Sequence, residues 1–189
     1  MSVAGPISVA YLNDYVPAWA DALVEAVAEI FSRPAVRLDI RLDLRAKLVQ
    51  ERGQYHATLM VAGVLRNRPP TSSKIIGITD VDLFVPVLTF VFGQSQLDGP
   101  AAVMSTYRLR NEFYGLPRDD GLLLERSVKE VVHELGHAFG LVHCADYGCV
   151  MRASTYVEDV DLKGAEFCPT CQGTLHRNSN RDVRNSTVS

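Results

Sequence analysis

No cysteine occurs in the first 143 residues, no block of basic residues anywhere, and no apolar run of membrane-spanning length. Each absence removes a class of protein. Without early cysteines, no disulfide framework can hold the bulk of the domain. Without a basic block or a basic–aromatic patch, there is no electrostatic footprint for nucleic acid. Without a long apolar run, no helix is expected to span a membrane. The opening Met1-Ser-Val-Ala-Gly-Pro-Ile lacks both the basic and the apolar region of a signal peptide, so a cytoplasmic protein is expected. There is no internal repeat to suggest a solenoid. What remains is ordinary: 189 residues, 47% hydrophobic, 22% charged and a net charge of −3, enough chain for one domain around one core.

One stretch is not ordinary. His133-Glu134-Leu135-Gly136-His137-Ala138-Phe139-Gly140-Leu141-Val142-His143 fits H-E-x-x-H-x-x-G-x-x-H. On a helix His133 and His137 lie one turn apart on one side, so two imidazoles can converge on a metal ion. Glu134 then points beside the metal, where a carboxylate can take a proton from a water held there. Gly140 can take the left-handed conformation that ends a helix and bring His143 back to the same ion. Three ligands leave a fourth position open, as in a catalytic zinc site. Leu124, Val128, Val131, Leu135 and Phe139 fall within about 80° on the helical wheel, and the two histidines lie roughly 180–220° from Leu124. This predicts a helix with one buried side and its histidines facing an open cleft. Asp119 and Asp120 are its N-cap candidates.

All four cysteines follow the third histidine: Cys144, Cys149, Cys168 and Cys171. In a reducing compartment such short spacings suit one structural Zn²⁺ held by four thiolates; two disulfides are the alternative. Cys144 adjoins His143, so a metal on the cysteines would also fix the third histidine, coupling the two sites.

These residues resemble the metzincin zinc peptidases and, within them, the archaemetzincins. All metzincins share the eleven-residue motif. Cys144 directly after the third histidine, then Cys149, Met151, Cys168 and Cys171, match the archaemetzincin continuation. The resemblance runs from Leu124 to Cys171 and weakens upstream, around Gly77–Gly93. It implies that Met151 belongs to a turn beneath the catalytic metal, as a packing base and not a ligand. It implies an edge strand ahead of the last strand and the catalytic helix, here Phe90–Gln94, whose free backbone groups face the cleft. Tyr156 stands farther beyond Met151 than the tyrosine that approaches the metal in some metzincins, and is a candidate for oxyanion support.

Along the chain, Ile7–Leu12 reads as a strand and Pro17 starts a helix continuing through Phe31. Val36–Leu42 alternates as a half-buried strand, and Gln54–Leu65 reads as a helix ended by Pro69-Pro70. Lys74–Thr79, Phe90–Gln94 and Ala101–Tyr107 read as strands. Asp80 and Asp82 form a turn or cap, in preference to a calcium site, and His56 and His176 stand alone. The fold class is α/β (α+β): a mixed twisted sheet with backing helices and an active-site helix, metzincin-like on the resemblance. A single catalytic domain over residues 1–175 is expected. It would comprise an N-terminal portion over residues 1–140 and a small, irregular, zinc-clamped C-terminal portion over residues 141–175. A disordered tail would fill 176–189.

The function this predicts is a zinc metallopeptidase: two Zn²⁺ per chain, one catalytic and one structural, Glu134 as general base, and a peptide or protein as substrate. Alternatives are a metal-retaining regulatory protein with little turnover, or a zinc hydrolase of a non-peptide bond. A secreted matrix-metalloprotease-like enzyme is disfavoured by Cys144 and the missing signal. Oligomeric state is not legible.

Overall fold

The computed structural model describes residues 5–185, and side-chain surroundings as far as residue 180. In chain order the elements are β1 (Ile7–Leu12), α1 (Ala20–Ile30), β2 (Ala35–Ile40), β3 (Leu48–Val49), β4 (Gln54–His56) and α2 (Ala57–Arg66). They continue with β5 (Lys74–Thr79), β6 (Leu83–Phe84), β7 (Gly93–Ser95), β8 (Ala101–Ser105), α3 (Asp120–Ala138), α4 (Val157–Leu162) and α5 (Pro169–Asn185).

The main sheet has the order β2-β1-β5-β8-β7, parallel except for β7, which runs antiparallel to β8. Its three inner strands are buried at every position, which a sheet covered on both faces requires. The two faces alternate along each strand. Ile7, Val9, Tyr11, Ile76, Ile78, Ala102 and Met104 share one core with residues of α1 and α3. Ala10, Leu12, Ile75, Ala101 and Val103 share the other with α2. Each buried Ile, Leu or Val contributes roughly 1.5–3 kcal/mol on leaving water, so the sheet is fixed in register before any site is built on it. A second small sheet, β3-β4-β6, lies beside α2.

Several boundaries differ from those the sequence suggests, each for a local reason. Pro17 opens a turn closed by Ala20 N–H to its carbonyl, and the helix begins only at Ala20. β2 stops at Ile40 because its partner strand ends in Asn13 and Asp14, both at positive φ; the Asn13 side chain then bonds both backbone groups of Leu42. Residues 54–56, expected in a helix, form β4, where Gln54 is buried and its amide reaches Asp82. β8 ends at Ser105, whose hydroxyl accepts from Tyr107 N–H and donates to the Val81 carbonyl. The expected strand Phe90–Gln94 is regular only over Gly93–Ser95.

The C-terminal portion holds two helices. Composition predicts no structure from His176 onward, yet α5 continues to Asn185. Leu175 is buried in the larger core, which ties the tail's first turns down. Residues 186–189 of that expected tail lie outside the described ones. No helix among the described residues is long and apolar enough to cross a membrane.

Candidate active site

The helix α3 starts where Asp119 Oδ1 accepts from Leu122 N–H at 2.9 Å. From Arg126 to Ala138 it is buried on nearly every side, not on one alone. The side away from the core carries paired charges around the histidines, and His133 and His137 themselves line a cleft. Arg126 makes a bidentate contact to Asp161 of α4, Lys129 pairs with Glu125, and Glu130 pairs with Lys163. Charged residues are no obstacle to burial here because each has a partner.

The far end of α3 closes in a Schellman motif. Leu141 N–H donates to Gly136 O and Gly140 N–H to His137 O, with Gly140 at φ 84°. A side chain at that φ would be strained, so glycine is what allows the reversal. The chain turns back and presents His143 to the helix, its ring centroid 5.3 Å from His133 and 4.9 Å from His137. One potential ligand atom from each of the three lies within 4.8 Å of the others.

The chemistry of the donors fits a cation. His133 Nδ1 is 2.8 Å from Val150 O and His137 Nδ1 is 2.8 Å from Leu141 O. A carbonyl only accepts, so both rings carry their proton on Nδ1 and offer a lone pair on Nε2. Those two Nε2 atoms lie 3.1 Å apart. Two lone pairs at that separation repel unless a positive ion lies against both. Around zinc, with Zn–N of about 2.05 Å, a tetrahedral edge is roughly 3.3 Å. Burial holds all three imidazoles below the usual histidine range, with the Lys163 ammonium adding to it, so they are neutral and able to ligate.

Glu134 is buried against the edge strand. Burial pushes its carboxyl well above the ordinary range, with Glu130 adding and Lys163 opposing. A Cβ on Gly93 would lie 2.7 Å from Glu134 Oε1, so the edge strand leaves that carboxylate its place by having no side chain. Ser95 of β7 donates its hydroxyl to Glu134 O at 2.6 Å, stitching the edge strand to α3. A cleft of about 410 Å³ runs between the Leu88–Ser95 segment and the histidines, closed on its other flank by residues 153–156. Among the described residues β7 pairs with β8 alone, while Val91 bridges to Leu83. Tyr156 lines this cleft with its ring largely exposed. Met151 is buried beneath the helix, its sulfur against the position a Gly136 side chain would occupy.

The four cysteines converge as well. All are free, their sulfurs lie within 4.8 Å of one another, and Cys144 Sγ is 3.8 Å from Cys168 Sγ. A disulfide needs about 2.05 Å, whereas the edge of a zinc–thiolate tetrahedron with Zn–S of about 2.3 Å is roughly 3.8 Å. The backbone N–H of Cys171 draws the Cys168 thiol down, while burial pushes Cys149 and Cys171 up. Cys144 N–H donates to Met151 O at 3.0 Å, so the cysteine loop and the methionine turn are one unit.

Asp82 is engaged by Arg108 through two contacts of 2.7 Å, which accounts for it without calcium. His56 sits on Phe84, and His176 lies on α5 near Asn180, both away from the histidine cluster. Ser95, Glu130, Lys163 and Asn178 are not foreseen from the sequence, since lone polar residues at long separation carry no spacing signal.

The model of a family described as peptidase family M54 matches residues 23–177. The archaemetzincin of Methanocaldococcus jannaschii is 43% identical over 120 residues, covering 64% of this chain and 65% of that protein. The chain thus aligns with somewhat less than two thirds of that relative's length. The crystal structure of archaemetzincin from Methanopyrus kandleri is similar with a TM-score of 0.82 at 35% identity, over 94% of this chain and 97% of that one. The structure of a zinc-dependent peptidase from Methanocorpusculum labreanum is similar with a TM-score of 0.79 at 29% identity, over 89% and 99%.

Proposed function

The chain belongs to peptidase family M54, and on that premise we propose that it is a zinc metallopeptidase, with His133, His137 and His143 holding the catalytic ion and Glu134 as general base. Residues 1–140 and 141–175 would work as one catalytic domain with the cleft between them. The observation that carries the reading is the pair of facing Nε2 atoms, both Nδ1 protons committed to carbonyls, beside a buried carboxylate. Zinc bound there supplies Lewis acidity: it acidifies a water to a pKa of about 7 and polarises the scissile carbonyl.

The chain's own residues do the rest. Val150 O and Leu141 O orient the two imidazoles and fix their tautomer. Glu134 accepts a proton at its carboxylate from the attacking water and returns it to the leaving nitrogen as the peptide bond breaks. The outer side of β7, with the Phe90–Phe92 segment before it, offers backbone groups to an extended peptide laid along the cleft. Tyr156, which lines the opposite flank, is the candidate for oxyanion support.

Cys144, Cys149, Cys168 and Cys171 would hold a second, structural zinc, for which four free thiols at tetrahedral spacing are the support. Free thiols of this kind suit a reducing compartment, the cytoplasm. The substrate class is a peptide or protein, with no role for nucleic acid or membrane.

The test is turnover of a quenched peptide library by zinc-replete protein, with elemental analysis alongside. Cleavage that Glu134→Gln abolishes while zinc stays near two per chain is the expected result. Zinc retained with no cleavage by the parent would favour a metal-bearing binding protein, and zinc near one would remove the thiolate site.

A further inference from the structure

Lys163 is a cation with no exposed side-chain surface, paired with a carboxylate that lines the same cleft as the three histidines. Its ammonium lies 2.8 Å from Glu130 Oε1 and donates to the carbonyl of Arg152 at 3.3 Å. Those two partners belong to different halves of the site. Glu130 is one helical turn before Glu134 on α3, and it lines the cleft. Arg152 follows Met151 in the turn under the helix. The same turn supplies Val150 O, which holds the proton of His133 Nδ1. Lys163 and His133 therefore grip the 150–152 turn from its two ends, and Lys163 also anchors the helix on which His133 sits.

We propose that Lys163 is a positioning residue: by tying Glu130 to Arg152 O it fixes the 150–152 turn against α3, and through Val150 O it sets the orientation of His133. It touches neither substrate nor metal. The inference builds on the proposed zinc reading for its activity arm, while its metal-binding arm stands apart from turnover. The other buried ties of α3 are different in kind. Arg126 and Lys129 make their hydrogen bonds to Asp161 on α4 and, for Arg126, to Leu109 and Asn111. They hold helix to helix; Lys163 holds helix to turn.

Lys163→Met alone would strand the Glu130 carboxylate and risks unfolding. The test is therefore the double variant Glu130→Gln/Lys163→Met, which removes both charges and keeps the volume, with Lys129→Met as control. We expect the double variant to melt close to the parent. Its histidine site should release zinc to a competing chelator with about tenfold weaker affinity, the lower end for losing support behind a metal-ligating histidine. Turnover should fall about tenfold in kcat with KM unchanged. Lys129→Met should lose thermal stability and keep both zinc affinity and kcat. Parent-like zinc affinity and kcat in the double variant would overturn the proposal, as would an equal loss in Lys129→Met. A double variant that does not fold would overturn it too, making Lys163 a residue of the fold and not of the site. A parent that binds zinc but cleaves nothing would sink the peptidase reading and leave the chelator comparison decisive.

Discussion

The side-chain amide of Asn178 donates to the carbonyl of Phe139 at 2.8 Å. Asn178 belongs to α5, and Phe139 is the last residue before the glycine that turns the chain toward His143. A residue of the expected unstructured tail thus caps α3. The cap satisfies one of the carbonyls that any helix leaves unpaired at its C-terminus. It also couples the helix that follows Cys168 to the segment carrying the third histidine.

Asn178→Ala should therefore lower stability by about 1 kcal/mol, the usual size for one lost hydrogen bond. It should weaken zinc at the histidine site more than an equally destabilising change elsewhere on the surface. Thermal melting with and without a chelator measures both. An unchanged chelator response would confine Asn178 to a role in the fold.

Gly93→Ala tests the edge strand. An added Cβ would come within 2.7 Å of Val103 O and of Glu134 Oε1. The backbone of β8 cannot yield as a side chain can, so β7 and Glu134 must shift together. We expect a loss of about 1–3 kcal/mol, as for other overpacking changes, and a fall in kcat from the displaced carboxylate. Parent-like kcat with a lowered melting temperature would place the strain in the sheet alone.

Much of this is readable from the chain. Spacing alone brings His133, His137 and His143 together, because helix geometry and one glycine determine where three side chains go. The inner strands are legible as continuous apolar runs. What is not legible has competing long-range causes. Gln54 sits in a strand because Asp82, 28 residues on, takes its amide. The polar side of α3 reads as facing solvent, since Arg126, Lys129 and Glu130 give no hint in sequence of partners at Asp161 and Lys163. Composition makes the tail look unstructured, yet Leu175 and Asn178 dock it onto the core. Pairwise closure of buried charges is a tertiary fact, and no local period encodes it.

Asp159 gives a pH dependence with a defined sign. Its carboxylate accepts from the N–H groups of Tyr156 and Thr155, and these hold its pKa below the usual aspartate value. A depressed carboxyl contributes stability that is present above the unfolded-state value and is lost as pH falls through the folded one. Asp159→Asn should melt below the parent at neutral pH, and the gap should close on acidification. A gap independent of pH would show that the loss is one of packing.

Glu134→Gln should reduce hydrolysis by at least about 10²-fold, the range for losing a general base. Its effect on the fold should run the other way. Burial raises this carboxyl, so keeping it ionised at neutral pH costs the metal-free protein stability. The neutral amide removes that cost. Metal-free Glu134→Gln should melt at or above the metal-free parent, and a clear drop would mean that Glu134 is needed for packing.

Cys168→Ser separates the two metal sites. An oxygen in place of one of four thiolates should weaken the zinc proposed for the place where the loop 144–151, the Cys168 backbone and α5 meet. The first effect should be on stability. Activity should follow by a specific route: Cys144 N–H holds Met151 O, and Cys144 adjoins His143, so a loosened cysteine cluster frees both the methionine turn and the third imidazole. The expected order on titrating a chelator into Cys168→Ser is loss of the thiolate zinc first, then a fall in melting temperature, then loss of the histidine zinc and of turnover together. In the parent the histidine zinc, held by three neutral nitrogens and open to water, should leave first. The same order in both proteins would mean that the clusters bind independently, and the coupling through Cys144 would have to be given up.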